Sequence, residues 1–341
     1  MGVDQIGRSI TILVHGITLV HQRPEGDESI DPTLDCDFSV TRWVKPEPQP
    51  LELTLFNLSI ENRDRLVQQQ QRAAAIGWKK LQAVQSGAVL VLPGQEAATM
   101  QALVAKTGLV EIFAGYGDSA LLLCRYQILP QDGIKHVYNG VDWVTTIRAQ
   151  DGRLPWQNAW VSQSMVPGVL LRDVQKVLLA SEELLEGTLD EETFASAYPE
   201  LLQYKPTPGY RNGYVLHGPV KDMKTDLLET LGLEAFYRDG TLQYTRKGAA
   251  TWTDAVRLSM ANNLLGVPTE MERGFYTAQT LLDGRIEPGR QVKLVGRDDV
   301  SPIGVGTFRC DQVVHSGSNY GPSFYSTMIL RPSSLVPSSN P

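Results

Sequence analysis

The sequence predicts a β-rich α+β fold, and three observations predict it. Residues 108–150 are dense in β-branched and aromatic side chains, interrupted by turn signals. Residues 37–58 hold short alternating strands bounded by prolines. Helical periodicity is confined to a few segments between such stretches. A chain of 341 residues implies two or three domains. With 42% apolar and 20% charged residues it can bury sizeable cores.

Taken in order, residues 9–21 (SITILVHGITLVH) predict two strands with a turn or bulge near Gly16. Residues 37–44 alternate apolar and polar. They predict a strand marked by Phe38, Val40 and Trp43 that can carry an irregularity. The three prolines of KPEPQP then break the chain. In 51–58, Leu51, Leu53 and Leu55 share one strand face and Glu52, Thr54 and Phe56 the other. Proline-bounded strands of this kind suggest a barrel or sandwich.

Asn57 or Ser59 can cap a helix over about 60–85, a stretch rich in helix formers. Its QQQQ run reads as a solvated face. A second short helix is expected over about 95–106. Residues 108–150 predict three successive strands, with turns at Gly115–Asp118 and Gln131–Gly133. A strand, helix, strand-meander order points to a barrel-like domain ending near residue 150.

Residues 167–186 predict an amphipathic helix. Val169, Leu170, Val174, Val177, Leu178 and Leu185 recur at helical spacing, and Pro167 stands near the entry. A further helix or two short turns is expected over 189–204, and a loop over 205–213. Residues 214–220 predict a strand and 221–232 a helix stopped by Gly232. Residues 233–248 predict a hairpin turning at Asp239–Gly240. Strands follow at 254–259, 290–297, 306–317 and 324–330, before a frayed terminus. Gly108–Gly117 resembles Pro288–Arg297, and each is followed by another strand, a weak internal echo.

A formal net charge of −7 argues against non-specific clamping of nucleic acid. Cys36, Cys124 and Cys310 are widely spaced and odd in number, so three buried or half-buried thiols are expected, with no disulfide or zinc site. The N-terminal residues lack the pattern of a signal peptide or a myristoylation site. No stretch reaches the roughly 20 apolar residues that span a bilayer.

Gly117-Asp118-Ser119 follows an apolar strand, as the nucleophile of a GDS-type esterase would. Such a serine needs an acid and a histidine base, and Asp311 and His315 are the nearest candidates, one residue too far apart. A turn is the simpler reading. His15, His21, His136, His217 and His315 form no metal-ligand spacing. Glu182, Glu183, Glu186, Asp190, Glu191 and Glu192 read as a solvated helix face. Gly304-Val305-Gly306 reads as a turn, since no helix follows to meet a phosphate. Trp143, Trp156, Trp160 and Trp252 read as core or interface aromatics.

The order of segments carries a resemblance. Its phrases are DFSVTRWVKPEPQPLELTLFNLS (37–59), VEIFAGYGDSALLLCRYQI (110–128), YNGVDWVTTIRAQDG (138–152) and PGVLLRDVQKVL (167–178). They continue through the small domain of 217–248, the stretch 258–296 and VGTFRCDQVVHSG (305–317). From about residue 10 to residue 330 this succession resembles the phage baseplate hub family. These trimeric proteins are related to late-control tail proteins of contractile phages and to the hub part of type VI secretion spikes. Arg125-Tyr126 stand where the family carries a glycine, and Asn262-Asn263 precede Leu264 where a plain strand-turn is usual.

The resemblance implies two tube-like β-barrel domains with flanking helices and a small α/β domain between them. The first barrel domain with its helix is expected over 1–150, a helical and small α+β region over 151–250, and the second barrel domain with the C-terminal tail over 251–341. It implies a structural, non-enzymatic hub: a homotrimer joining a sixfold tail tube to a threefold central spike, with DNA passing through its lumen. Implied partners are the tail tube protein or tube initiator, the central spike protein and other baseplate proteins. No sequence-specific nucleic acid, no membrane before infection, no cofactor, no metal and no catalytic residue is implied. The expected location is the virion tail baseplate, after assembly in the host cytoplasm. Two other classes compete: a GDS-type serine esterase using Ser119, and a monomeric barrel binding module.

Overall fold

The computed structural model describes residues 7–22, 34–76, 107–117, 120–169, 171–182, 185–186, 213–231, 233–250, 252–260, 263–271, 274–295 and 306–332. A first β unit holds β1 (Arg8–Val14), β2 (Ile17–Gln22), β3 (Cys36–Trp43), β4 (Gln49–Phe56), β5 (Leu109–Tyr116), β6 (Leu121–Ile128), β7 (Ile134–Tyr138) and β8 (Trp143–Asp151). Helix α1 (Ile60–Ile76) lies between β4 and β5. A middle unit holds α2 (Arg153–Asn158), β9 (Trp160–Met165), α3 (Leu171–Glu182), β10 (Leu185–Glu186), β11 (Tyr214–Pro219), α4 (Val220–Leu231), β12 (Leu233–Arg238) and β13 (Thr241–Arg246). A second β unit holds β14 (Trp252–Ser259), β15 (Thr269–Glu270), β16 (Tyr276–Leu281), β17 (Arg290–Val295), β18 (Gly306–Ser318) and β19 (Phe324–Pro332). The fold is α+β and β-rich, as the sequence predicts.

Local chemistry accounts for the elements. Leu51, Leu53 and Leu55 are all buried on one face of β4. His15 and Gly16 both take positive φ, 53° and 76°, and close the β1–β2 hairpin as a two-residue turn does. Ser59 caps α1, its Oγ accepting the Asn62 N–H at 3.3 Å. Asn57 turns away from that role into the left-handed region, at φ 57°. Residues 77–106, 187–212, 251 and 333–341, with the predictions that fall on them, lie outside the described residues, as does Gly232.

Several expectations are corrected. The third strand predicted before residue 150 is a hairpin, β7 and β8. The Asn139 side chain breaks it, its Oδ1 accepting the N–H groups of Val141 and Asp142 at 2.9 and 2.8 Å. The helix predicted over 167–186 runs only from Leu171 to Glu182, and Leu185–Glu186 instead pair in parallel with β13. Pro167 and Gly168 form a turn before it, with Gly168 at φ 86°. Strands β9 and β16 were not anticipated. The irregularity expected in β3 lies in its neighbour β18, where the register shifts between Cys310 and Gln312.

Fourteen strands form one branched sheet, whose path runs β15-β16-β19-β18-β3-β4-β8-β6-β5-β1-β2. Within it, one arrangement occurs twice. β3, β4, β5, β6 and β8 stand in the spatial order β3-β4-β8-β6-β5, antiparallel throughout. β15 to β19 stand in the order β15-β16-β19-β18-β17, also antiparallel throughout. Numbered along the chain, both read 1-2-5-4-3. The echoed segments 108–117 and 288–297 fall on the third strand of each set, β5 and β17.

Strand β18 fuses the two units. Its start pairs with β17, Gly306 to Arg309 against Leu294 to Gln291. Past the bulge it pairs with β3 instead, from Gln312↔Trp43 to Ser318↔Asp37. At the changeover the Asp311 carbonyl accepts the Val44 N–H at 2.8 Å.

Both units curl. Arg8 on β1 stands six steps along the sheet from β18, about 29 Å if the sheet were flat. Yet its guanidinium donates to the Ser318 carbonyl at 2.9 Å and the Gly321 carbonyl at 2.7 Å. Likewise the Tyr116 hydroxyl of β5 donates to the Phe324 carbonyl at 3.0 Å. In the second unit β14 and β16 flank opposite sides of β17-β18-β19. Just after β14, the Leu265 N–H donates to Gln279 of β16 at 2.7 Å, closing the ring. Each curl encloses its own apolar core, and Leu282 and Phe324 from the second unit complete the core of the first.

The middle unit packs α3 and α4 against two small sheets, β10-β13-β12 and β11-β9. At its centre the Lys224 ammonium donates to Glu182 Oε1 at 2.6 Å and to the Tyr237 hydroxyl at 2.9 Å, all three buried. Glu182 therefore leaves the solvated face on which the sequence reading placed it. Burial lowers the Lys224 pKa, and the Glu182 charge opposes that shift. The unit is held on the second β unit by Arg309, whose guanidinium meets Glu234 at 2.6 Å and donates to the Ala249 carbonyl at 3.1 Å.

Candidate functional site

No constellation for covalent or acid–base catalysis is found among the described residues, and the acid and base that the esterase reading would use are engaged elsewhere. Ser119 lies outside the described residues. The Asp311 carboxylate is held by Arg309 at 2.7 Å and Arg331 at 2.7 Å. His315 is buried with its Nδ1 2.8 Å from Ser326 Oγ, and desolvation pushes its pKa down to about 3.

The other histidines are paired singly. His15 Nδ1 accepts the Gly108 N–H at 2.8 Å, and burial pulls its pKa down to about 4. His21 pairs with Thr11, His136 with Thr145 and His217 with Ser162. Burial also lowers the His136 pKa. No group of three His, Cys, Asp or Glu side chains that could hold a metal occurs among the described residues. Among them, too, no helix is long and apolar enough to cross a membrane. The three thiols are buried, and desolvation raises each pKa, that of Cys36 to about 12.

The fused pair is stiffened beyond its ladder. Asn319, in the β18–β19 turn, accepts the Cys36 N–H at 2.8 Å and donates to the Leu34 carbonyl at 2.8 Å. Phe38 lies over Gly317, its partner in the β3–β18 register. Two like units are thereby locked side by side in one chain.

Solved structures share this architecture. The 43 kDa tail protein of prophage MuSo2 from Shewanella oneidensis superposes with a TM-score of 0.53 at 7% identity, covering 95% of this chain and 98% of that one. The tail protein from Neisseria meningitidis MC58 gives 0.51 at 10% identity, with 95% and 96% covered. The E. coli c3393 protein gives 0.51 at 11% identity, with 90% and 76% covered. It is described as a component of the type VI secretion system with structural similarity to the T4 bacteriophage tail proteins gp27 and gp5. This chain has a phage tail-protein fold. The likeness lies in the fold, since no family model and no curated protein matches the sequence.

On this tail-protein fold, two exposed aromatic patches stand out. One is the β7–β8 hairpin tip, where Val141 is 81% exposed and Trp143 41%. Asn57 shapes the tip. Its amide donates to Asp142 Oδ1 at 2.8 Å, and its Oδ1 accepts the Trp143 N–H at 3.2 Å. The Tyr138 and Trp143 rings lie 5.4 Å apart, with the Arg63 guanidinium 3.9 Å over Trp143. The other patch is the outer face of β9–β11, with Trp160 59% exposed against His217 and Val215 beside them. Trp143 and Trp160 were read as core or interface, and exposure decides for surface. Trp156 is half-buried on α2, its ring 5.5 Å from the Lys224 ammonium. At the two ends of the sheet path, β2 and β15 each keep an edge unpaired among the described residues.

Proposed function

We propose that the chain is the structural hub of a bacteriophage tail baseplate, working as a homotrimer between a sixfold tail tube and a threefold central spike. The observation that carries this reading is the 1-2-5-4-3 strand set occurring twice and fused through β18. Three such chains present six like units to a tube while remaining three chains to a spike. A closed ring needs heterologous contacts, and the open edges of β2 and β15 are surfaces that would aggregate unless paired. The aromatic hairpin of β7–β8 has the composition of an interface anchor. A net charge of −7 suits a lumen that lets DNA pass without holding it.

On this reading the partners are the tail tube protein or its initiator, the spike protein and neighbouring baseplate proteins. The place is the virion tail, assembled in the host cytoplasm. The chain divides near residues 150 and 250 into the two tube-like units and the part between them. It has no catalytic role and needs no cofactor. The test is native mass at micromolar protein, alone and with tube and spike proteins. A trimer that joins both is expected. A monomer that joins neither, or hydrolase activity lost in Ser119→Ala with assembly intact, would overturn the reading.

A further inference from the structure

Strands β6 and β8 pair only at Gln127↔Gln150 and Ile128↔Ala149. The two run antiparallel, so the part of β6 before Gln127 faces chain past Asp151, where β8 ends and α2 begins. The backbone edge of β6 at 123 and 125 thus loses its neighbour, and side chains replace it. Arg42 of β3 donates to the Leu123 carbonyl at 3.0 Å, and Asp239 Oδ1 accepts the Arg125 N–H at 3.0 Å. Asp239 belongs to the tip of the β12–β13 hairpin, where it takes φ 49° and Gly240 φ 84°. The tip of the middle unit therefore plugs a gap in the first β unit.

The plug is charged on every side. Arg42, 2% exposed, pairs with Asp239 at 3.3 Å and reaches Glu287 of the second unit at 3.8 Å. Glu287 also pairs with Arg238 of the hairpin at 2.9 Å. Asp151, at the end of β8, accepts the Gly240 N–H on Oδ1 at 3.0 Å, while its buried Oδ2 has no hydrogen-bond partner. Two guanidiniums thus face Asp239 and Glu287, and an ionised Asp151 would be a third carboxylate beside them. The remaining titratable neighbours cannot absorb that charge. Cys124 and Tyr126 of β6 and Tyr237 of β12 are pushed up by burial, and His315 of β18 is pushed down to about 3.

We infer that the Asp239–Gly240 tip is a proton-controlled latch, which holds the middle unit on the fused β units while Asp151 is protonated and loosens when Asp151 ionises. The inference goes beyond the hub reading and does not depend on it. Desolvation first, then the Asp239 charge, raises Asp151 to about 7 in the docked state. Undocked and solvated, the group returns to its ordinary value of 3.8. Docking therefore binds a proton. It is fully favoured below about pH 4, weakens about tenfold per pH unit from there to about 7, and then levels off.

The test is hydrogen exchange of the full chain between pH 5 and 8, each amide normalised to its intrinsic chemical rate. The Arg125 and Gly240 amides report the latch, and the Ile12 amide in the first core serves as control. Protection of the latch amides is expected to fall by at least about tenfold from pH 5 to pH 8, with the core amide steady. Asp151→Asn, which keeps an acceptor for Gly240 and cannot ionise, is expected to hold high protection across the range. If that variant does not fold, the wild-type profile decides alone. Latch protection that stays flat in the wild type, or an Asp151→Asn protein that keeps the pH dependence, would overturn the inference.

Discussion

Substituting Gly317 tests how rigidly the two units are joined. An alanine Cβ at that position would lie 2.1 Å from Phe38 Cζ, 2.4 Å from Cε1 and 2.9 Å from Cε2. Carbon atoms need about 3.5–4.0 Å, so ring or ladder must move. Phe38 is buried in the first core and faces Gly317 across the β3–β18 ladder. Ordinary overpacking costs about 1–3 kcal/mol, and driving a buried phenylalanine from its site costs about 3–5 kcal/mol. Gly317→Ala is therefore expected to destabilise by about 3 kcal/mol, read by equilibrium denaturation. Phe38→Ala alone should cost about 3–5 kcal/mol by cavity formation. Once the ring is gone its clash with the added methyl goes too, so the double variant should recover about 2 kcal/mol or more relative to the sum. A Gly317→Ala cost below about 1 kcal/mol, or simple additivity, would refute the packing argument.

Three further outcomes are expected. Lys224→Met should cost about 3–5 kcal/mol by leaving the buried Glu182 charge without its ammonium, and adding Glu182→Leu should restore most of it, measured by denaturation. His15 and His315 resist protonation in the fold until about pH 4 and about pH 3 respectively, whereas the unfolded chain protonates them near 6.5. Each contributes stability that is present above pH 6.5 and lost as pH falls, and His315→Gln should flatten the acid limb of a melting-temperature profile. Cys36, Cys124 and Cys310 should be inert to a thiol reagent at pH 8 in the native protein and all react after denaturation.

Much of the secondary structure was legible because local chemistry decides it. The Leu51, Leu53, Leu55 alternation, the Asp239–Gly240 turn and the α4 pattern each act within a few residues. The Asn139-Gly140 pair carried an equally local signal for the β7–β8 hairpin, and reading 135–152 as one strand passed over it. Strand β16 was harder, since its buried face is Tyr276, Ala278 and Thr280, too polar and small to mark a core strand. The fusion of the units lay beyond local reasoning, because Asp37 pairs with Ser318 across most of the chain. Arg42 offered a partial signal. It continues the inward register of Cys36, Phe38 and Val40, where an arginine demands buried partners. Glu182 was misread because acidic neighbours suggested water, while its partner Lys224 lies in another helix. The exposed tip at Val141 and Trp143 could not be told from core by composition alone.

In the proposed hub, one chain carries two like units that act as neighbours in a ring. The most direct measurement is the rotational symmetry of its particles by electron microscopy, alone and within tails. Three chains in a threefold ring with a pseudo-sixfold face are predicted. A true sixfold ring of six chains, or single chains at micromolar concentration, would contradict it.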